Sequence, residues 1–153
     1  MGYTNYWTPN KKKIATLKEF PKEMLEKMET VRKKFNECVM NKTIGAPLVG
    51  SVTLPDSICV TGTSEGLEID LKKDTRIQSR IGIDSWTFCK TCRDHYDVVV
   101  KCFLMLLKKY GIISSWDHDG SYHCAEYRRA FKFARMCGIN PRGLGASPNV
   151  SDN

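Results

Sequence analysis

No stretch of this chain is long and apolar enough to cross a bilayer as a helix. The strongest apolar run, Val98–Leu107, is broken by Lys101 and is about half of the ~20 residues that a spanning helix requires. A helical membrane protein is thereby excluded, and no membrane partner is expected. The opening residues lack a charged segment followed by an apolar stretch and a small-residue cleavage site, so no secretory signal is expected. Met1-Gly2 begins like a myristoylation site, but Tyr6 stands where Ser or Thr is needed. A disulfide framework is missing too. The seven cysteines (38, 59, 89, 92, 102, 124 and 137) are odd in number and irregular in spacing, which reads as reduced thiols and a cytoplasmic location. In that compartment the glycosylation-like triplets at Asn41 and Asn149 have no use. No internal repeat is evident.

What is present is an ordinary globular composition. The chain has 153 residues, 41% hydrophobic and 27% charged, enough for one self-sufficient core and too apolar for disorder outside the ends. The net charge of +7 is uneven, with +5 in residues 1–43, −2 in 44–84 and +4 in 85–153. Two basic regions flanking an acidic middle favour anionic partners by long-range attraction.

Periodicity sets the expected elements. Tyr3–Trp7 alternates aromatic and polar residues and reads as a strand ending at Pro9, followed by a solvated Lys11–Lys13 loop. From Pro21, Met24, Leu25, Met28, Val31, Phe35, Cys38 and Val39 recur at helical spacing up to Met40. Leu48–Leu54, Ser57–Thr61 and Leu67–Leu71, separated by Pro55-Asp56 and Gly62–Gly66, predict an antiparallel meander. Lys72–Asp84 reads as a surface loop and Ser85–Cys89 as a further strand. Val98–Leu107 is apolar almost all round and predicts a central helix, with Asp94 and Asp97 at its start. Ile112–Trp116 then reads as a strand, Asp117–Gly120 as a turn, and the stretch up to Gly138 as a last helix. The expected fold is a single α+β domain over residues 1–141, a largely antiparallel sheet with about three helices packed on it and a flexible tail over 142–153.

Two stretches carry a family resemblance: Met1-Gly2-Tyr3-Thr4-Asn5-Tyr6-Trp7, and Phe88-Cys89-Lys90-Thr91 followed by Tyr96-Asp97 and later Asp119-Gly120. They resemble a family of small microbial and phage proteins, without an established activity, that begin Met-Gly-Tyr-Thr-x-Tyr-Trp. That family continues with Phe-x-Lys-Thr, a Pro-Tyr-Asp opening an apolar helix, and Ser-Asp-Gly before a last helix. The chain departs from the pattern at His95, where Pro is usual, and at Trp116–His118. The resemblance implies a shared fold and a shared site around Lys90, Thr91, Tyr96, Asp97, Asp119 and Gly120.

Four constellations are candidates for chemistry. Lys90, Thr91 and Arg93 precede the central helix, with Tyr96 and Asp97 in its first turn; a helix N-terminus with nearby cations attracts phosphate or carboxylate, unless Asp94 and Asp97 simply cap it. Asp117-His118-Asp119-Gly120 sets two carboxylates around a histidine, for acid–base work or a hard cation, or else forms a turn whose Asp119 caps the last helix. Cys89 and Cys92 with His118 and His123 are a weak zinc alternative, His95 being a further candidate, but without a clean second pair of ligands zinc is not expected. Cys89 is also a speculative nucleophile with His95 as its base, although no oxyanion donors are identifiable. Arg128, Lys132 and Arg135 form a basic helix stripe for nucleic acid, or a merely solvated face. The leading expectation is a small anionic, phosphate- or nucleotide-like ligand held by Lys90, Thr91, Arg93, Tyr96, Asp97, Asp117 and Asp119, in a pocket where Lys90 and Asp119 converge. The rivals are a non-catalytic interaction protein, such as a virion or assembly component or an inhibitor, with an exposed patch including some of Tyr3, Tyr6 and Trp7, and a nucleic-acid binder using the last helix.

Overall fold

A computed structural model describes residues 3–40, 49–62, 65–71, 87–92 and 95–146. The expected 72–84 loop, Trp86, Arg93, Asp94 and the 147–153 end of the tail lie outside the described residues. Within them the order is β1 (Thr4–Pro9), α1 (Lys11–Ala15), α2 (Lys22–Met40), β2 (Val49–Leu54), β3 (Ser57–Thr61), β4 (Leu67–Asp70), β5 (Thr87–Lys90), α3 (Asp97–Lys109), β6 (Ile113–His118) and α4 (Ala125–Met136). The α+β class is as expected. The strands form two three-stranded sheets rather than one, in the orders β5-β1-β6 and β2-β3-β4, and every pairing is antiparallel.

Each element follows from local chemistry. On α2, Met24, Met28, Val31 and Phe35 are all fully buried, as one apolar stripe at helical spacing must be in a packed helix. In β3 and β4, Ile58, Val60, Leu67 and Ile69 alternate with more exposed neighbours and turn their side chains to the core. Lys11–Lys13, expected as loop, opens a short helix because Asn10 caps it: Asn10 Oδ1 accepts from Lys13 N–H at 3.2 Å, and Ile14 is buried. β1 ends at Pro9, where the missing N–H accompanies a register shift against β6.

Helix α3 is the centre. Residues 99–107 are all buried, and α3 contacts α2, α4 and β6. One continuous cluster joins both sheets to α2, α3 and α4. The β3–β4 connection also links the sheets: Glu65 N–H donates to Lys90 O at 3.1 Å, and Lys90 N–H donates back to Glu65 Oε1 at 2.9 Å.

The tail expected from Arg142 onward is docked as far as Ala146. Trp116 Nε1–H donates to Leu144 O at 2.9 Å, Lys108 Nζ to Gly145 O at 3.1 Å, and Ala146 N–H to Tyr127 OH at 2.9 Å. Buried indole and phenol groups need such partners, and the backbone of 144–146 supplies them. A Cβ on Gly145 would collide with Tyr127 OH and would lie 2.9 Å from the Phe131 ring. We therefore expect Gly145→Ala to lower unfolding stability by about 1–3 kcal/mol in urea titrations. Unchanged stability would mean that this close approach is not needed.

Candidate functional site

The Lys90–Asp97 and Asp117–Gly120 segments do meet, with β1 between them. Cross-strand register puts Phe88, Tyr6 and Asp117 in one row across β5, β1 and β6, and Cys89, Asn5 and His118 in the next. A third row holds Lys90 and Thr4, continued by Asp119, whose N–H donates to Thr4 O at 2.9 Å. Side chains alternate across a strand, so the first and third rows share the outer face while the second turns inward. Cys89, Asn5 and His118 are accordingly buried, and Phe88 and Lys90 are exposed.

The inner face holds a closed polar network. Asp97 and Lys101 lie four residues apart on α3 and form an ion pair of 2.5 Å, with Lys101 at 0% exposure. Asn5 bridges them: its Nδ2 donates to Asp97 Oδ1 at 2.7 Å, and its Oδ1 accepts from Lys101 Nζ at 2.9 Å. Thr91 Oγ1 adds a bond to Asp97 Oδ1 at 2.6 Å. The ammonium also lies 4.4 Å from the Tyr3 ring centroid, so its charge faces a carboxylate, an amide oxygen and an aromatic face. Burial still pulls the Lys101 pKa below its ordinary value, with Asp97 opposing the shift.

This network removes three residues from the expected ligand set. Thr91 and Asp97 spend their polar atoms inside the protein. Tyr96 is buried as well, its hydroxyl donating to Glu65 O and its ring lying against Gly62, where a Cβ would strike it. Asp97 bonds to side chains rather than serving as a side-chain cap, and the N-cap residue of α3, Tyr96, makes no side-chain cap bond. Arg93 lies outside the described residues.

The expected Asp117–Gly120 turn is corrected in part. Asp117 and His118 are the last two residues of β6, paired with Tyr6 and Asn5, while Gly120 takes the positive φ of +84°. Asp119 does not cap α4, whose N-cap is Cys124; its carboxylate accepts from Thr4 N–H and Tyr6 OH, both at 3.0 Å. Lys90 and Asp119 thus flank Thr4, with backbones roughly 10 Å apart from two interstrand spacings.

His118 is buried and partnered on one side only. Its Nδ1 lies 2.7 Å from Asp119 O and 2.9 Å from Tyr3 OH, while Nε2 has no hydrogen-bond partner among the described residues. A carbonyl can only accept, so Nδ1 carries the proton and Nε2 presents a lone pair. The ring stacks on Tyr127 at 4.5 Å and meets Tyr122 edge-on at 5.6 Å. Burial holds its pKa below the ordinary 6.5, with the Lys101 charge acting in the same direction.

The remaining candidates resolve simply. Burial pushes the Cys89 thiol up to about 12, and the exposed His95 is not positioned within that core, so Cys89 is no nucleophile. Cys89 and His118 stand on either side of Asn5, whose amide is committed to Asp97 and Lys101. Cys92 and His123 are exposed, and among the described residues no three His, Cys, Asp or Glu side chains gather as metal ligands. Arg128, Lys132 and Arg135 are exposed on α4, opposite its buried Tyr127, Ala130, Phe133 and Ala134.

The outer face holds what sequence reasoning passed over. Phe88 is 53% exposed, and its ring centroid lies 6.5 Å from that of Tyr6 across the β5–β1 pair. Beside them stand Asp117 and the 40%-exposed Tyr122, whose hydroxyl lies 3.4 Å from Asp117 Oδ1. The ammonium of Lys90 has no ion-pair or hydrogen-bond partner among the described residues. Tyr3 and Trp7, expected in an exposed patch, are buried instead. The molecule is thus an α+β protein with an open aromatic sheet face bordered by one lysine and two aspartates. Compared with protein families, curated proteins and solved structures, the chain matches none.

Two outcomes test this division of faces. Asp97→Ala strands Lys101 without its counter-ion and is expected to cost about 3–5 kcal/mol in chemical unfolding, whereas Lys90→Ala stays within about 0.5 kcal/mol. Because His118 is held neutral, its contribution to stability is complete above pH 6.5 and declines as the pH falls through its lower native value. Unfolding titrations between pH 7 and 5 should show that decline, and His118→Gln should flatten it.

Proposed function

We propose that the outer face of the β5-β1-β6 sheet binds a nucleotide unit, an aromatic base with its phosphate, presented by a single-stranded nucleic acid. The observation that carries this reading is the half-exposed Phe88 ring beside Tyr6 on an open sheet face, with Lys90, which has no partner among the described residues, two positions along β5 on the same face. Burying an exposed ring under a base recovers stacking and hydrophobic energy, and an ammonium at that edge suits a phosphate. A chain of net charge +7 adds long-range attraction. The reading keeps the expected anionic ligand but moves it from the α3 N-terminus to the sheet. An open face favours a strand over a free nucleotide, since small-molecule sites are concave. No chemical step is proposed, and a common fold with the small microbial and phage proteins that the chain resembles is part of the proposal.

Fluorescence anisotropy with labelled mixed-sequence single strands, duplexes and free mononucleotides tests it. Single strands should bind most tightly, and Phe88→Ala should weaken them by about 1–3 kcal/mol without lowering Tm. Tighter binding of mononucleotides would assign the same chemistry to a free ligand. A duplex bound with no dependence on Phe88 would favour the basic stripe of α4 instead. Absence of all binding at low salt would leave the non-catalytic interaction protein as the better reading.

A further inference from the structure

On the reading that Phe88 and Tyr6 stack a base, we infer that Asp117 selects guanine. The residue stands in their row on the next strand, so a base lying over the two rings turns one edge toward its carboxylate. Asp117 Oδ1 accepts from His118 N–H at 2.8 Å and lies 3.4 Å from Tyr122 OH, while Oδ2 has no partner among the described residues. An ionised carboxylate only accepts hydrogen bonds, so its best match is an edge bearing two adjacent donors. Guanine presents such a pair, N1–H and the N2 amino group, on its Watson–Crick edge. Adenine offers a donor beside an acceptor there, and its ring nitrogen would face the carboxylate lone pairs. Uracil has one donor between two carbonyls, and cytosine one amino group beside an unprotonated nitrogen.

The neighbouring groups are consistent with that choice. Asp119 is held by Thr4 N–H and Tyr6 OH, which keeps a second carboxylate on the β6 side. A phosphate is repelled from that side and drawn toward Lys90 on β5, so the nucleotide has one favoured direction across the sheet.

The experiment uses short adenine- and pyrimidine-containing single strands that differ at one central position: guanine, inosine or adenine. With the full chain, affinity should fall on the order of tenfold from guanine to adenine, with inosine, which lacks the N2 amino group, between them. Asp117→Asn keeps an oxygen able to accept from His118 N–H, and it should erase the preference while binding stays dependent on Phe88. Equal affinity for the three strands, or a guanine preference that survives Asp117→Asn, overturns the assignment even if stacking on Phe88 stands. Loss of Phe88-dependent binding altogether overturns the stacking reading and the guanine assignment with it. The inosine comparison on the unmodified chain keeps the test decisive should Asp117→Asn fail to fold.

Discussion

The buried ion pair between Asp97 and Lys101 is the constraint around which the rest is arranged. Two opposite charges at 2% and 0% exposure are costly to desolvate, and they persist only where every remaining lone pair and proton finds a partner. Asn5 from β1, Thr91 from the end of β5 and the ring of Tyr3 supply those partners. The pair therefore fixes the central helix against two strands at one register. A slip of β1 by a single residue would turn Asn5 outward and carry Tyr6 into the core.

That register decides what the outer surface offers. With Tyr3, Asn5 and Trp7 committed to the interior, Tyr6 and the covered Thr4 lie on the other face, and the antiparallel partners Lys90, Phe88 and Asp117 are set beside them. The Phe88 ring lies half in water beside that of Tyr6. Asp117 and Asp119 border it on the β6 side, and the Lys90 ammonium, with no partner among the described residues, on the β5 side. The segment after Pro141 and the stacked His118, Tyr127 and Trp116 close the opposite side of the molecule around α4, so the two surfaces are chemically distinct.

Much of the chain was legible as written. The three-and-four-residue recurrence of Met24, Met28, Val31 and Phe35 defines α2 because a helix has one buried stripe, and Pro55-Asp56 separates β2 from β3 because turn residues end strands. Lys101 was visible as a flaw in an apolar run. With Asp97 four residues before it, the i,i+4 spacing was the available signal for a buried pair. Asn5 carried no comparable signal, because its partners lie 92 and 96 residues away. The early end expected for β6 had a plain cause: Asp117 and His118 have the composition of a turn, and only pairing with β1 keeps them extended.

The sequence by itself determined the α+β class and the places of α2, α3, α4 and the meander, since periodicity and turn chemistry act over a few residues. Only the tertiary structure decided that Asp97, Thr91 and Tyr96 belong to the interior while Phe88, Tyr6 and Asp117 form a surface. Alternation along a strand is readable from a single segment, but which of its two faces meets the core depends on partners distant in the chain. The desolvation cost of Lys101 and Asp97 settles that choice, by admitting inward only the face that carries Asn5.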